Sequence, residues 1–358
     1  MELKYYIIRR LLVLIPTLLG LLLLTFIMLN ALPQSYLIQQ FIPQKVLSKA
    51  QRQADVQLAI NTLGLNRPLP VQFLIYVNSI IHGNWGFMYP NASGGTSFYT
   101  GPVLAGIFEY FPVTLEIAIF AVIFSIILAI PLGTYIGSKP NSVSDQVGRV
   151  FSLSGYAMPT FFLALLLQLI ASPYFPSYIY GQGYPKNVQY GFIQNGISQP
   201  THMLVFDALL HGDFSLALSA FGHLVLPVIA LSYGLLAGLL IFIRAGMVDA
   251  SNQEYVKTAR AKGVPEKQVL KKHVRKNALL PSITVFGLVF SGLLGGVVVI
   301  EEVYRINGLG RFGISTVSGG YIQFFGILGT TLFFGIVLVL ANLIVDVLYA
   351  LMDPRIRY

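Results

Sequence analysis

Six stretches of this chain are apolar for the length a helix needs to cross a bilayer, and this restricts the fold more than any motif. A hydrocarbon core about 30 Å thick takes about 20 residues of helix. The stretches are Leu11–Leu32, Val113–Ile136, Val150–Ala171, Leu224–Ile243, Ser282–Ile300 and Gly326–Ala350. They carry few charges: Glu116 sits near one end of the second, and Asp346 near the end of the sixth. Pro16, Pro131, Pro159 and Pro227 lie inside four of them, where a membrane helix tolerates a kink. The expected fold is an all-α polytopic membrane protein with six transmembrane helices. Composition agrees, since 55% of the 358 residues are hydrophobic and only 10% are charged.

Lys and Arg set the orientation. Six spans put both termini on one side, together with Lys4, Arg9, Arg10, Lys139, Arg149, the nine cations from Arg244 to Lys276, Arg355 and Arg357. That side holds sixteen of the 23 cations; Lys45, Lys49, Arg52, Arg67, Lys186, Arg305 and Arg311 make seven on the other. The side with sixteen is read as the cytoplasm of a multi-pass plasma-membrane protein. The net charge of +9 then reflects topology rather than a nucleic-acid partner. The expected organisation is a cytoplasmic N-terminus and first transmembrane helix over residues 1–32, an extracellular segment over 33–112, and a core of five spans over 113–358. The core would contain an extracellular insertion at 172–222 and a cytoplasmic loop at 246–281. In the extracellular segment, helical pieces are expected around Val46–Thr62 and over Val71–Ile81, followed by a turn-rich region at Gly83–Gly101.

The cytoplasmic loop is the polar exception in the chain. Ten of the thirty residues from Ser251 to Leu280 are charged. Ser251-x-x-Glu254 has the spacing of a capping box, which would start a helix over Asn252–Lys262. Gly263 suits a left-handed terminator, with Pro265 two residues on. Tyr255, Val256 and Ala259 would form a small apolar stripe. Pro265 and Glu266 would open a second, basic amphipathic helix lying at the lipid headgroups. Isolated helices of eleven residues are marginal, so capping at both ends suggests a docking element held by a soluble partner. A loop that only fixes topology is the plainer alternative.

The residues EYVKTARAKG (Glu254–Gly263) and RKNALLP (Arg275–Pro281) resemble the Glu-Ala-Ala loop of ABC importer permeases. The likeness is to the branch for dipeptides, oligopeptides and related solutes. The triplet position reads Lys257-Thr258-Ala259, and the gap from Gly263 to Pro281 is long; both departures are features of that branch. Arg9–Pro33, Leu63–Val77, Gly83–Gly86, Phe111–Ala121, Asn307–Phe312 and Ile344–Arg357 are similar to further landmarks of the family, in order. The resemblance implies a type I importer permease fold and a solute pathway shared with a second permease subunit, in a heterodimer. It implies an extracellular solute-binding protein, and two cytoplasmic ATPase subunits that bind ATP and Mg. The first loop helix would be the coupling helix, with Glu254, Tyr255, Lys257, Ala259, Arg260 and Gly263 as ATPase contacts. Peptides are the implied solutes, with oligosaccharides or nickel as the alternative.

Other classes fit less well. There is no Gly-x-x-x-x-Gly-Lys-Ser/Thr loop, so ATP hydrolysis is expected in separate subunits. The chain itself is expected to hold no cofactor or metal: it has no cysteine, and its five histidines lack metal-ligand spacing. No nucleophile–base constellation marks an intramembrane enzyme, and largely uncharged spans argue against a secondary transporter. Glu116 is a candidate pathway residue or a structural acid. Ser291 and Gly295, in the fifth stretch, are read equally as pathway-lining or helix-packing positions. Glu301 and Glu302 are expected among the outer headgroups.

Overall fold

A computed structural model describes residues 3–42, 48–90, 98–174, 192–193, 195, 199–317 and 322–352. These are mostly helical. Contacts divide the chain into two compact units, one of Met1–Ile8, Val113–Ile306 and Leu340–Tyr358, the other of Arg9–Pro112 and Asn307–Val339.

Among the described residues, four helices are long and apolar enough to cross a membrane, or five if one bent pair counts as a single span. The four are α1 (Leu3–Asn30), α5 (Val103–Gly137), α9 (Phe214–Ser251) and α14 (Phe324–Met352). They carry the first, second, fourth and sixth apolar stretches and overrun most of them at both ends. The third stretch is not one straight span. It divides into α6 (Val143–Ala157) and α7 (Thr160–Ala171), bent by 107°. The break lies at Met158-Pro159, where both residues are extended (ψ 123 and 134). A proline ring disfavours helical geometry in the residue before it. Pro16 and Pro227, by contrast, lie inside continuous helices. The fifth stretch lies within α12 (Arg275–Val303).

In the first unit, α9 is the central element. One row of its buried residues, Leu224, Val228, Leu231, Leu235 and Leu239, follows the i, i+3/i+4 spacing that puts side chains on one helix face. Backbones approach closely where glycine removes the side chain. A Cβ on Gly133 or Gly137 of α5 would strike Ile243 at 2.7 Å or Met247 at 2.6 Å on α9. Gly133 and Gly137 form a small-xxx-small pair, the spacing that lets membrane helices pack backbone to backbone. Gly155 of α6 meets Ala237 and Tyr233 of α9 in the same way. The Ser125 hydroxyl donates to the Ser232 carbonyl at 3.1 Å, joining α5 to α9.

The second unit contains the pieces expected after the first apolar stretch. The helix α2 (Gln34–Gln39) precedes α3 (Lys49–Leu63), which starts with a true capping box between Ser48 and Gln51 and ends at left-handed Gly64. The helix α4 (Leu69–Ile81) starts behind Pro68 with Pro70 in its first turn. A two-residue antiparallel ladder pairs β1 (Phe87–Met88) with β2 (Gly101–Pro102). Phe26, Tyr76, Phe324 and Leu328 form its core. The Gln323 side chain hydrogen-bonds both backbone groups of Tyr89, at 3.1 and 2.7 Å, and so ties that turn to the start of α14. Of the expected insertion at 172–222, residues 175–191, 194 and 196–198 lie outside the described residues.

Candidate functional site

The polar loop stands on a closed stem. A Cβ on Gly246 of α9 would collide with the carbonyl oxygen of Ala278 on α12, and would lie 3.2 Å from its carbon. The two long helices therefore touch backbone to backbone where the loop leaves and returns. Met247, Ala250, Val256, Ala259, Val269, Val274 and Ala278 are all buried in the core of the first unit. The loop is thus a packed extension of that unit rather than a tether.

The expected capping box does not form. Ser251 is the last residue of α9, and its hydroxyl donates back to the Met247 carbonyl at 2.7 Å. The loop helix is α10 (Glu254–Ala261), shorter than expected, with Gln253 as an N-cap that makes no side-chain bond. Hydroxyl back-bonding to the preceding turn competes with capping, and the buried Met247 and Ala250 keep α9 helical to that point.

The other end of α10 forms as the sequence predicts. Gly263 has φ +74, its amide donates to Arg260, and the Val264 amide reaches the Ala259 carbonyl at 3.2 Å. This is a Schellman motif, which satisfies two helix-end carbonyls through a left-handed residue. Val264 completes it by packing on the core. Arg260 then locks the turn by a two-point contact with Glu266, at 2.7 and 3.1 Å. The hydrogen bond from Arg260 lowers the Glu266 carboxyl below its ordinary value, and Glu266 raises Arg260 in return. Lys257 pairs with Glu254 at 2.7 Å along the helix.

The six named loop residues therefore separate. Glu254, Tyr255, Lys257, Arg260 and Gly263 are exposed. Ala259 is not, being only 7% exposed and packed against the chain's own core beside Val256. The apolar stripe is Val256 and Ala259; Tyr255 lies outside it, 40% exposed. A partner would meet the charged and aromatic face, while the small apolar face is already occupied.

The second loop helix is not a separate surface helix. After the short α11 (Glu266–Gln268), residues Val269–Val274 form a π-helical turn that runs directly into α12. An α-helix would turn Val269 and Val274, five residues apart, about 140° away from each other. The i→i+5 register of the π turn brings both inward instead. Each is fully buried.

The remaining candidates are placed as follows. Glu116 is fully buried, and its carboxylate accepts the amides of Val205 at 2.9 Å and Phe206 at 3.4 Å, in the first turn of α8 (Leu204–Leu210). It braces that helix rather than facing water. Glu301 is also buried, accepting the Thr114 hydroxyl at 2.5 Å, and so is not a headgroup residue; Glu302 is exposed. Gly295 is exposed, with nothing near its Cβ position. Ser291 falls on α12, and Asp346 on α14; the side chains of both lie outside the described residues. Among the described residues no group of acids and histidines could hold a metal ion.

One buried charge group escaped the sequence reading. Asp145 at the start of α6 is fully buried. It takes a two-point contact from Arg244 of α9 at 2.7 and 2.9 Å, a further contact from Arg149 at 3.3 Å, and the Asn141 amide at 2.9 Å. The pair fixes α6 to α9 seven residues before α9 ends. The partners are 99 residues apart, so only the isolated cation after an apolar run hinted at it.

Apolar helices of bilayer length, carrying one packed polar loop with a charged outer face, define a multi-pass membrane protein. The chain belongs to the family of binding-protein-dependent transport system inner membrane components: residues 129–358 match that family, and residues 3–118 match its N-terminal membrane component. It is similar to the dipeptide transport system permease protein of Alkalihalophilus pseudofirmus, 33% identical over 361 residues and 99% of each chain. It is as similar to the oligopeptide transport system permease protein of Bacillus subtilis, 33% identical over 355 residues and 99% of each chain. The probable D,D-dipeptide transport system permease protein of Escherichia coli is 32% identical over 345 residues, 94% of this chain and 93% of its own. The chain is a permease, a transport component rather than an enzyme.

Proposed function

We propose that this chain is one of two permease subunits of an ATP-driven importer of di- or oligopeptides. Peptides are favoured because the similar permeases are named for dipeptide and oligopeptide transport. An extracellular solute-binding protein delivers the solute, and two cytoplasmic ATPase subunits bind ATP and Mg. Adding α12 to the five spans counted with the bent pair gives six, with both termini cytoplasmic and residues 33–112 outside. Ser291 and Gly295 remain candidates for the pathway; buried Glu116 is assigned to bracing instead.

The observation that carries the reading is the state of α10. Its apolar face is buried in its own unit, its end is locked by Gly263 and the Arg260–Glu266 pair, and its outer face is free. Packed against the π turn, which itself contacts α9 and runs into α12, such a helix transmits a push from an ATPase to those helices. Glu254, Tyr255, Lys257, Arg260 and Gly263 form that contact face.

The test is uptake by proteoliposomes holding the chain with its partner permease, ATPases and binding protein. Labelled di- and tripeptides are expected to accumulate only with ATP and the binding protein. Uptake driven by an ion gradient without ATP would contradict the reading. ATP-dependent uptake of nickel or an oligosaccharide in place of peptides would move the substrate class.

A further inference from the structure

The loop's charges divide into two groups, and the folded chain shows which of them are paired. Both acids between Ser251 and Leu280 are engaged around α10: Glu254 with Lys257, and Glu266 with Arg260. Past Glu266 come five cations and no acid, namely Lys267, Lys271, Lys272, Arg275 and Lys276. None of the five forms an ion pair among the described residues. The π turn gives them a side. With Val269, Val274 and Ala278 buried inward, Lys271, Lys272 and Lys276 are exposed and Arg275 half-buried. The result is a stripe of unneutralised cations on the outer side of a helix that continues into an apolar stretch.

The distances suit a membrane surface. Lys276 precedes Ser282 by about 9 Å of helix and Lys272 by about 15 Å. The headgroup layer extends about 5–8 Å beyond the hydrocarbon. Lysine stems can lie along apolar surface while their ammonium groups reach polar partners, and charges attract over a screening length of about 8 Å. We propose that Lys271, Lys272, Arg275 and Lys276 form a binding surface for anionic phospholipid headgroups of the cytoplasmic leaflet. The stem of the loop would then be anchored to lipid while α10 stays free for its protein partner. This rests on the cytoplasmic placement of the loop proposed above.

The test is lysine acetylation of the whole complex in nanodiscs of phosphatidylcholine, with or without phosphatidylglycerol, read by mass spectrometry with Lys49 of α3 as reference. Phosphatidylglycerol is expected to slow acetylation of Lys271, Lys272 and Lys276 at least about threefold relative to Lys49, and high salt to abolish the effect. Equal rates in the two lipids overturn the proposal: equally fast means solvated charges, equally slow a protein partner on the stripe. Protection by inorganic phosphate in phosphatidylcholine discs also overturns it, because the site would then take phosphate rather than lipid. A membrane-impermeant acetylating reagent applied outside sealed, right-side-out vesicles separately tests the placement. Labelling of these lysines there would refute the cytoplasmic reading while leaving the lipid comparison interpretable.

Discussion

Gly263 offers the cleanest perturbation of the coupling element. Its φ of +74 is a region that side chains disfavour, yet a Cβ there would meet nothing within 4 Å. Gly263→Ala therefore adds backbone strain and no collision. That strain is worth about 1–2 kcal/mol for an ordinary L-residue. All of it falls on the Schellman motif, which supports the last turn of α10, so local opening of α10 should rise about 5- to 30-fold. Gly263→Asn should cost less, because asparagine tolerates the left-handed region. The assay is hydrogen exchange of the amides from Val256 to Lys262 in the detergent-solubilised complex, in the regime where exchange reports the opening equilibrium. The expected order of protection is glycine, then asparagine, then alanine, with exchange in α5 and α9 unchanged. If alanine and asparagine both leave α10 protected as in the parent, the terminator does not hold the helix, and the account of the loop is wrong.

Three further outcomes follow from the packing and charges. Gly246→Val drives side-chain carbon into the Ala278 carbonyl and should lower the melting temperature and the yield of assembled complex, with a cost of about 1–3 kcal/mol; Gly234→Ala, whose Cβ would lie no nearer than 4.0 Å to another atom, should leave both unchanged. Asp145→Asn leaves the partly exposed Arg244 guanidinium without its carboxylate and should destabilise by about 1–3 kcal/mol, whereas Asp145→Leu with Arg244→Met should recover much of that loss in a thermal melt. Because Arg260 lowers the Glu266 carboxyl from its ordinary 4.5, the stability this contributes is fully present above about pH 4.5 and is lost as pH falls through the lowered value. Exchange in α10, corrected for intrinsic rates, should therefore be flat from about pH 6 to 8 and rise in acid, and Glu266→Gln should raise it at neutral pH and flatten the acid rise.

What was legible in the sequence was what depends on near neighbours. Gly263 could be placed because a left-handed terminator needs only its own backbone and a helix before it. The helices α3 and α4 could be placed from local polarity and the prolines before α4. What depends on distant packing was not legible. Ser251 and Glu254 have the spacing of a capping box, but α9 is packed through Ala250 and absorbs the serine. Val269 and Val274 have no α-helical relation, so the π turn that buries both left no periodic trace. Pro159 and Pro227 look equivalent in sequence, yet one separates α6 from α7 and the other sits within α9. Ala259 stood among the partner contacts that the resemblance implies; the chain's own core takes it. Glu116 could be a pathway residue or a structural acid and Glu301 was expected among the headgroups; their partners lie 89 and 187 residues away.

The central claim is that the outer face of α10 is where a partner ATPase engages this permease. The chain has no cysteine, so Tyr255→Cys places a single thiol on that face. The measurement is thiol-specific cross-linking of this variant in the assembled complex, with Thr62→Cys on α3 as the control at another exposed site. A cross-linked product containing the ATPase subunit from Tyr255→Cys, and none from Thr62→Cys, is the predicted result. No ATPase adduct from Tyr255→Cys in a complex that still hydrolyses ATP would contradict the account.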